Sequence, residues 1–184
     1  MTYATNNDSV TWKGKRLPGV DASDFLVLSD DRFARAAGAI WMRGKALSVD
    51  AGSFELLSSA FAKDKDTVFE VLASKLKPIT KADPGTFRAI GEAHGEDGAI
   101  GWWRGKAIRG SQVPGLVELD PHHARDGKRI FHGKSKLSFE PMLPLNHDRV
   151  RLIPAREINA INLCELILED GEQAVYADLS LIHI

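Results

Sequence analysis

The chain has one cysteine, almost no net charge and no long apolar run, and each shortage excludes a class of protein. Cys164 has no second thiol, so no intrachain disulfide can form, which favours a cytosolic protein. The net charge is −1, without the basic excess typical of a nucleic-acid-binding domain. No apolar run approaches the roughly 18 residues that cross a membrane, and residues 1–15 lack the features of a secretory signal. We therefore expect a soluble, cytoplasmic protein that binds neither nucleic acid nor membrane.

The sequence does contain a repeat. Four segments of about thirty residues carry the same residue types at fixed offsets. They run over residues 20–47, 49–76, 82–108 and 112–137, and a half-copy over 10–17 precedes them. The aligned starts are separated by 29 (21 to 50), 33 (50 to 83) and 29 (83 to 112) residues. Repetition at a nearly fixed period indicates an array of similar structural units.

The shared positions are of three kinds: a turn-forming start, an aromatic residue four positions later, and an aliphatic residue seven positions later. The starts are Asp21, Asp50, Asp83 and Gln112; the aromatic position holds Phe25, Phe54, Phe87 and Leu116; the aliphatic position holds Leu28, Leu57, Ile90 and Leu119. A later position aligns Phe61 with His123, and His94 falls on the same register. We expect these apolar positions to form a core shared between neighbouring copies.

Local chemistry predicts that each unit is a strand and a hairpin. Aspartate followed by Ser, Gly or Pro-Gly forms turns, and the Phe-x-x-Leu stretch that follows is either a strand or a helical turn. In the second copy, residues 61–63 and 67–69 flank the polar turn of residues 64–66, which is the pattern of a hairpin. We therefore predict a mainly β fold of stacked repeats in one domain, as a solenoid, a sandwich or a partial propeller.

With these motifs in hand, the repeat resembles the DKNYY family of bacterial proteins over residues 8–137. The strings that carry the resemblance are residues 82–87, residues 61–69 and the hairpin exits over 10–17 and 130–137. The paired tyrosines of that family are replaced by Ile40-Trp41, Trp102-Trp103 and Ile130-Phe131. The Asp-Lys turn is lost in the first copy and altered in the third. The resemblance implies a β-repeat fold and no catalytic residue.

Residues 138–184 do not fit the repeat, and we predict that they form an acidic extension that caps the array in the same domain. Two apolar runs, 161–168 and 173–179, surround an Asp-Gly turn and predict a hairpin; a helix over 155–168 is the alternative. The extension has eight acidic and three basic side chains. This acidic segment is either a solvated face or a surface complementary to a basic partner.

The residues that could carry chemistry do not converge into a recognisable site. His122 and His123 are adjacent, so on a strand their rings point to opposite faces and cannot share one metal ion. Asp64 and Asp66 resemble half of a calcium loop without its later glycine and glutamate, which favours a turn. Cys164 lies in an apolar run and is predicted to be a buried thiol. We assign no catalytic, cofactor-binding or metal-binding residue.

The tryptophans indicate a binding surface. Trp102 and Trp103 are consecutive, so on a strand one of them faces outward, and exposed tryptophan is enriched where proteins bind one another. Together with the acidic extension, this gives the predicted partner contacts, which are Trp102, Trp103, Glu165, Glu169, Asp170 and Glu172. The predicted function is a non-enzymatic protein-binding module, in particular a bacterial immunity protein that binds and neutralises a toxin.

Two alternatives belong to other classes. A hydrolase would use scattered histidines and aspartates, and it requires His122, His123 and an acidic residue to meet in one cleft. An envelope-associated or carbohydrate-binding module would use exposed tryptophans, and it requires export of the chain.

Overall fold

The computed structural model describes residues 3–6, 8–28, 32–127, 129–136, 151–152, 165–169 and 174–178. Over these residues the regular secondary structure is almost entirely β-strand, in six small antiparallel sheets that follow one another along the sequence. One short 3₁₀ helix, Ala22–Asp24, begins the first full copy. The predicted mainly β fold of tandem strand-and-hairpin repeats is therefore confirmed. The chain divides into two compact units, Met1–Phe87 and Arg88–Ile184.

The first unit contains a three-stranded sheet and two four-stranded sheets, each a meander of antiparallel neighbours. The half-copy sheet consists of β1 (Tyr3–Asn6), β2 (Ser9–Trp12) and β3 (Lys15–Arg16). The first-copy sheet consists of β4 (Leu26–Val27), β5 (Phe33–Ala36), β6 (Ala39–Met42) and β7 (Lys45–Ala46). The second-copy sheet consists of β8 (Glu55–Leu56), β9 (Phe61–Lys63), β10 (Val68–Val71) and β11 (Leu76–Pro78).

The second unit has the same plan. The third-copy sheet consists of β12 (Arg88–Ala89), β13 (His94–Glu96), β14 (Gly101–Trp103) and β15 (Lys106–Ile108). The fourth-copy sheet consists of β16 (Val117–Glu118), β17 (His123–Arg125), β18 (Ile130–His132) and β19 (Ser135–Lys136). The last sheet consists of β20 (Arg151–Leu152), β21 (Glu165–Glu169) and β22 (Ala174–Asp178).

The copies share one register. In each four-stranded sheet a small residue on the second strand lies opposite an aromatic residue on the third strand. These pairs are Ala34 with Trp41, Ala62 with Phe69, Gly95 with Trp102, and Ala124 with Phe131. A large ring opposite a small side chain fits a narrow space, so the same pairing recurs although the aromatic residue changes.

Turn chemistry sets the start of the first three copies as the sequence predicts. The Asp21 and Asp50 carboxylates each accept a backbone N–H two or three residues later, from Ser23 at 2.8 Å and from Ser53 at 2.9 Å. The hairpin exits are two-residue turns such as Arg43-Gly44, where both residues have a positive φ (50° and 77°). Turns with positive φ at both positions match the twist of the strands they join and favour glycine. The Phe-x-x-Leu stretches contain strands, not helical turns.

Apolar side chains from successive sheets form the interior of the first unit. One cluster joins Val10 and Leu17 of the half-copy to Ala34 and Trp41 of the first copy. A second cluster joins Phe33 and Met42 of the first copy to residues of the second copy, namely Phe54, Ala62 and Val71. The first unit therefore has a core shared between copies, which no single small sheet could enclose alone.

The second unit repeats this arrangement between the third and fourth copies. Ile108 packs with Leu116, Ala124 and Phe131, and the partly buried Trp103 lies against the same cluster. Phe131 is completely buried. This interior fixes the hairpin β14–β15 against the fourth-copy sheet, and that hairpin carries the residues of the candidate site.

The predicted C-terminal hairpin is present. Strands β21 and β22 pair antiparallel, with Glu165 opposite Asp178 and Glu169 opposite Ala174. The alternative of a helix over 155–168 is wrong at residues 165–168, which are in β21; residues 155–164 lie outside the described part of the chain. The predicted boundary at residue 137, between the array and its extension, also lies outside it. Within the described residues, no helix is long and apolar enough to cross a membrane.

Candidate functional site

The two consecutive tryptophans of β14 face opposite ways, as alternation along a strand predicts. Trp102 is 3% exposed, whereas Trp103 is only partly buried. The Trp102 indole Nε1 donates to the Asp97 carboxylate at 3.0 Å, so its one polar atom is satisfied inside the unit. Of the two predicted contact residues, Trp103 is the one that a partner can reach.

Trp103 is held in place on three sides. Its Nε1 donates to the Pro121 carbonyl at 2.9 Å. Its ring lies directly over Gly133, where an added Cβ would be only 3.1 Å from ring atoms. Gly133 also has a positive φ of 59°, so both the backbone conformation and the close ring require glycine there. A tryptophan fixed in this way loses little conformational entropy when it binds a partner.

Cations surround the exposed part of the Trp103 ring. The Lys106 Nζ lies 5.4 Å from the ring centroid and the Arg104 guanidinium carbon 5.9 Å from it, both within the range of cation–π attraction. Lys106 also lines a groove of about 440 Å³ together with Ala107, Arg109, Lys134 and Ser135. We call this the basic groove, because three of the five described residues that line it are cationic.

Histidines complete the surface. The exposed His122 ring lies 6.3 Å from the Trp103 ring, and His132 lies 6.3 Å from His122. Burial lowers the pKa of His132, and the neighbouring His123 and His122 lower it further. At neutral pH, His132 is therefore an uncharged, polar edge of the surface. We define the Trp103 face as Trp103, Arg104, Lys106, His122 and His132.

His94 and His123 occupy the position that Phe33 and Phe61 occupy in the first two copies, at the start of the second strand of each sheet. Both histidines are buried, at 0% and 8% exposure. Each has a carboxylate partner that sequence analysis did not find. His94 Nδ1 lies 2.7 Å from a Glu118 oxygen, and His123 Nδ1 lies 3.0 Å from an Asp120 oxygen.

Glu118 holds more than the imidazole. Its two carboxylate oxygens accept the backbone N–H groups of Glu92, Ala93 and His94 at 2.8 to 2.9 Å. Burial by itself would raise the pKa of Glu118, but these N–H donors and the His94 ring outweigh it and hold the pKa below its ordinary value. Glu118 is therefore an anion that joins the fourth copy to the turn before β13.

Acidification should destabilise the fold through the pair formed by His94 and Glu118. Burial lowers the pKa of His94 below its ordinary value of 6.5, although Glu118 pulls it upward. As the pH falls below 6.5, the unfolded chain therefore takes up a proton before the folded chain does, and stability declines. The lowered pKa of Glu118 acts in the same direction, because its contribution is present above 4.5 and is lost as the pH falls through its folded value.

We therefore expect the free energy of unfolding, measured by urea denaturation, to fall steadily from pH 7 to pH 4. One histidine can contribute at most about 1.4 kcal/mol per pH unit. The His94→Phe variant places the residue of the first two copies at this position, and its decline between pH 6.5 and pH 5 should be shallower. An unchanged slope in that variant would show that His94 is not the group that responds.

The hydrolase alternative depends on His122 and His123, and the structure places their side chains in different surroundings. His123 is buried against Asp120, whereas His122 is exposed beside Trp103. Within the described residues, no group of three or more His, Cys, Asp or Glu side chains is arranged to hold a metal ion. Glu165 and Glu169 lie at opposite ends of β21. Cys164, Asp170 and Glu172 are outside the described part of the chain.

Comparisons of the chain with protein families, with curated proteins and with solved structures found no match. The resemblance to the DKNYY family therefore stays a prediction that depends on the residues quoted for it.

Proposed function

We propose that the chain is a non-enzymatic protein-binding module of DKNYY-like repeats and that the Trp103 face is its contact surface. The observation that carries this proposal is the state of Trp103, a partly exposed indole fixed by the Pro121 carbonyl and Gly133. Tryptophan and arginine dominate the energetics of protein interfaces, and here Trp103 lies beside Arg104. Because the ring is already ordered, a partner gains its contact area at little entropic cost.

The narrower role that we propose is that of an immunity protein, which binds a toxin in the cytoplasm of the bacterium that makes it. A set of small sheets with a shared interior supports a rigid surface. Rigid surfaces favour tight, long-lived complexes because little ordering is needed on binding. A neutraliser needs such a complex and no chemistry of its own.

The first test is capture of a partner by purified chain from a lysate of the source bacterium, followed by titration of the identified partner. Trp103→Ser should weaken the complex by about thirtyfold or more, the usual loss at an interface hot spot. The matched control is Trp12→Ser. Trp12 precedes the same basic-Gly-Lys turn in the half-copy and likewise lies over a glycine of the next copy, Gly44.

Both tryptophan variants lose packing, so each must first show a cooperative unfolding transition. A partner that binds wild type and Trp12→Ser but is lost from Trp103→Ser supports the proposal. A partner that binds all three proteins equally places the interface elsewhere. If no partner forms a one-to-one complex with purified chain, the protein-binding function is wrong.

The immunity role has its own test. The captured partner, expressed alone, should arrest bacterial growth, and coexpression of the wild-type chain should restore growth while Trp103→Ser should not. A partner that is harmless when expressed alone would contradict the immunity role and leave the binding function standing.

A further inference from the structure

We propose that the basic groove binds carboxylates, and that the protein bound at the Trp103 face places an acidic segment in it. This inference rests on the proposed function and specifies the chemistry of the partner. The partner proposed here is acidic, whereas the sequence predicted that the acidic extension would contact a basic partner.

The first argument is the balance of charge among the described side chains of this surface. Glu96, Asp97 and Asp126 are buried and Glu118 and Asp120 are half-buried, and N–H groups and cations of the same unit hold these five carboxylates. Glu96 accepts Arg88 Nε at 3.0 Å and the Leu116 N–H at 3.2 Å. Asp97 accepts the Trp102 indole, and Asp126 accepts the Gln112 N–H at 2.9 Å. Glu118 and Asp120 hold the two buried histidines.

The groove cations have no such partners. Among the side chains that the structure describes, no carboxylate lies within ion-pair distance of Lys106, Arg109 or Lys134. All three side chains are exposed. The contact of Lys106 with the Trp103 ring orients the ammonium without neutralising it. Three cations that have no carboxylate partner among the described side chains, placed around one concavity, attract an anion and accelerate its encounter.

The second argument is the shape and composition of the groove. A volume of about 440 Å³ holds a few side chains, and the Ser135 hydroxyl adds a hydrogen-bond donor to the cations. Lys106 lines the groove and also lies 5.4 Å from the Trp103 ring centroid, so the groove adjoins the Trp103 face. Nucleic acid is the less favoured occupant, because it needs cations spaced along several phosphates, whereas these three surround a single concavity.

The test uses a twelve-residue peptide with six central Asp and Glu residues and Gly-Ser ends. Binding to the full chain is followed by NMR chemical-shift titration at low ionic strength. The comparison probes are the same peptide with Asn and Gln in place of the acids, inorganic phosphate, and a single-stranded oligouridylate of equal charge. The K106Q/K134Q variant removes two groove cations. The control K45Q changes the lysine at the same position of the first copy, which is also exposed.

We expect the acidic peptide to bind, the neutral peptide not to bind, and K106Q/K134Q to weaken the acidic peptide about tenfold, while K45Q leaves it within twofold. Equal binding of the two peptides, or an undiminished K106Q/K134Q variant, would overturn the proposal. Tighter binding of phosphate or of the oligouridylate, with displacement of the peptide, would overturn it in favour of a phosphate ligand.

The outcomes also separate this inference from the proposed function. If Trp103→Ser loses the captured partner and K106Q/K134Q keeps it, the groove assignment is wrong and the protein-binding function stands. If the acidic peptide binds in the groove and no protein partner exists, the carboxylate site stands and the protein-binding function is wrong.

Discussion

Replacing Glu118 by alanine should lower the free energy of unfolding by about 3 kcal/mol or more, because four donors, three of them at least partly buried, lose one shared acceptor. The carboxylate accepts three backbone N–H groups and the His94 ring. Alanine leaves these groups without a partner in a place where His94 is fully buried.

The matched control is Glu55→Ala. Glu55 is also a strand glutamate, but it is 62% exposed and lies 3.9 Å from Lys63 in a surface ion pair. Its removal should cost less than about 0.5 kcal/mol. Urea denaturation followed by tryptophan fluorescence measures both variants, and equal losses would contradict the role assigned to Glu118.

Gly91 provides a sharper version of the same experiment. In the second copy the turn before the strand is held by the Ser58 hydroxyl, which accepts the N–H groups of Ala60 and Phe61. In the fourth copy Asp120 does the same for His122 and His123. The third copy has Gly91 at this position, and Glu118 of the next copy supplies the acceptor.

A side chain at Gly91 should therefore destabilise the fold when residue 118 is Glu and stabilise it when residue 118 is Ala. A Cβ on Gly91 would lie 2.3 Å from the Glu118 carboxylate, so Gly91→Ser alone should cost about 1–3 kcal/mol by overpacking. In the Glu118→Ala background the new serine has room and can accept the freed N–H groups. There it should restore about 1 kcal/mol. Additive effects in this double-mutant cycle would contradict the shared role.

The sheets could be predicted from the sequence because the information that defines them is local. Asp21 and Asp50 form turns with residues two or three positions away, and the central hairpin of each of the four copies pairs residues fewer than ten positions apart. The alignment also placed His94 and His123 at the packing position of Phe61, without deciding between core and surface, and the structure shows both buried. The copies repeat, so a position understood in one copy predicts the others.

The carboxylate partners of those histidines could not be predicted in the same way. Glu118 lies 24 residues from His94, and it occupies a position where the second copy has Leu56, so alignment of the copies marks it only as an exception. The available signal was a pair of exceptions, a glutamate at an apolar position and a glycine at a Ser or Asp position. Each departs from the repeat. Together they preserve the turn, because the glutamate supplies the acceptor that the glycine lacks.

The positive charge of the candidate site could not be predicted from the sequence for a related reason. Residues 82–110 have balanced charges, yet Glu96 and Asp97 turn inward while Lys106 and Arg109 stay exposed. Net charge adds all side chains equally, whereas a partner encounters only those at the surface. The sequence therefore indicated the acidic extension as the charged contact surface. The exposed cations beside Trp103 can be identified only from the fold.

The second large loss of stability is expected when Asp64, the hairpin aspartate of the second copy, is replaced. Asp64 is 7% exposed, and both of its oxygens are occupied. Oδ1 accepts the N–H groups of Asp66 and Thr67 at 3.0 and 2.8 Å, and Oδ2 accepts the Asp50 N–H at 3.0 Å. One carboxylate therefore closes the tight turn and ties it to the start of the same copy.

Asp64→Ala should lower the free energy of unfolding by about 3 kcal/mol, since three N–H groups lose an acceptor that is itself buried. Asp66→Ala, two residues away and exposed, should change it by no more than about 0.5 kcal/mol. Adding Ca²⁺ should shift neither midpoint, because N–H donors already occupy the Asp64 oxygens that a calcium ion would need. Thermal and urea unfolding of the two variants measures the difference directly. If Asp66→Ala proved as costly as Asp64→Ala, or if Ca²⁺ raised the wild-type midpoint, the two aspartates would be acting as ligands, and the turn assignment made from the sequence would be wrong.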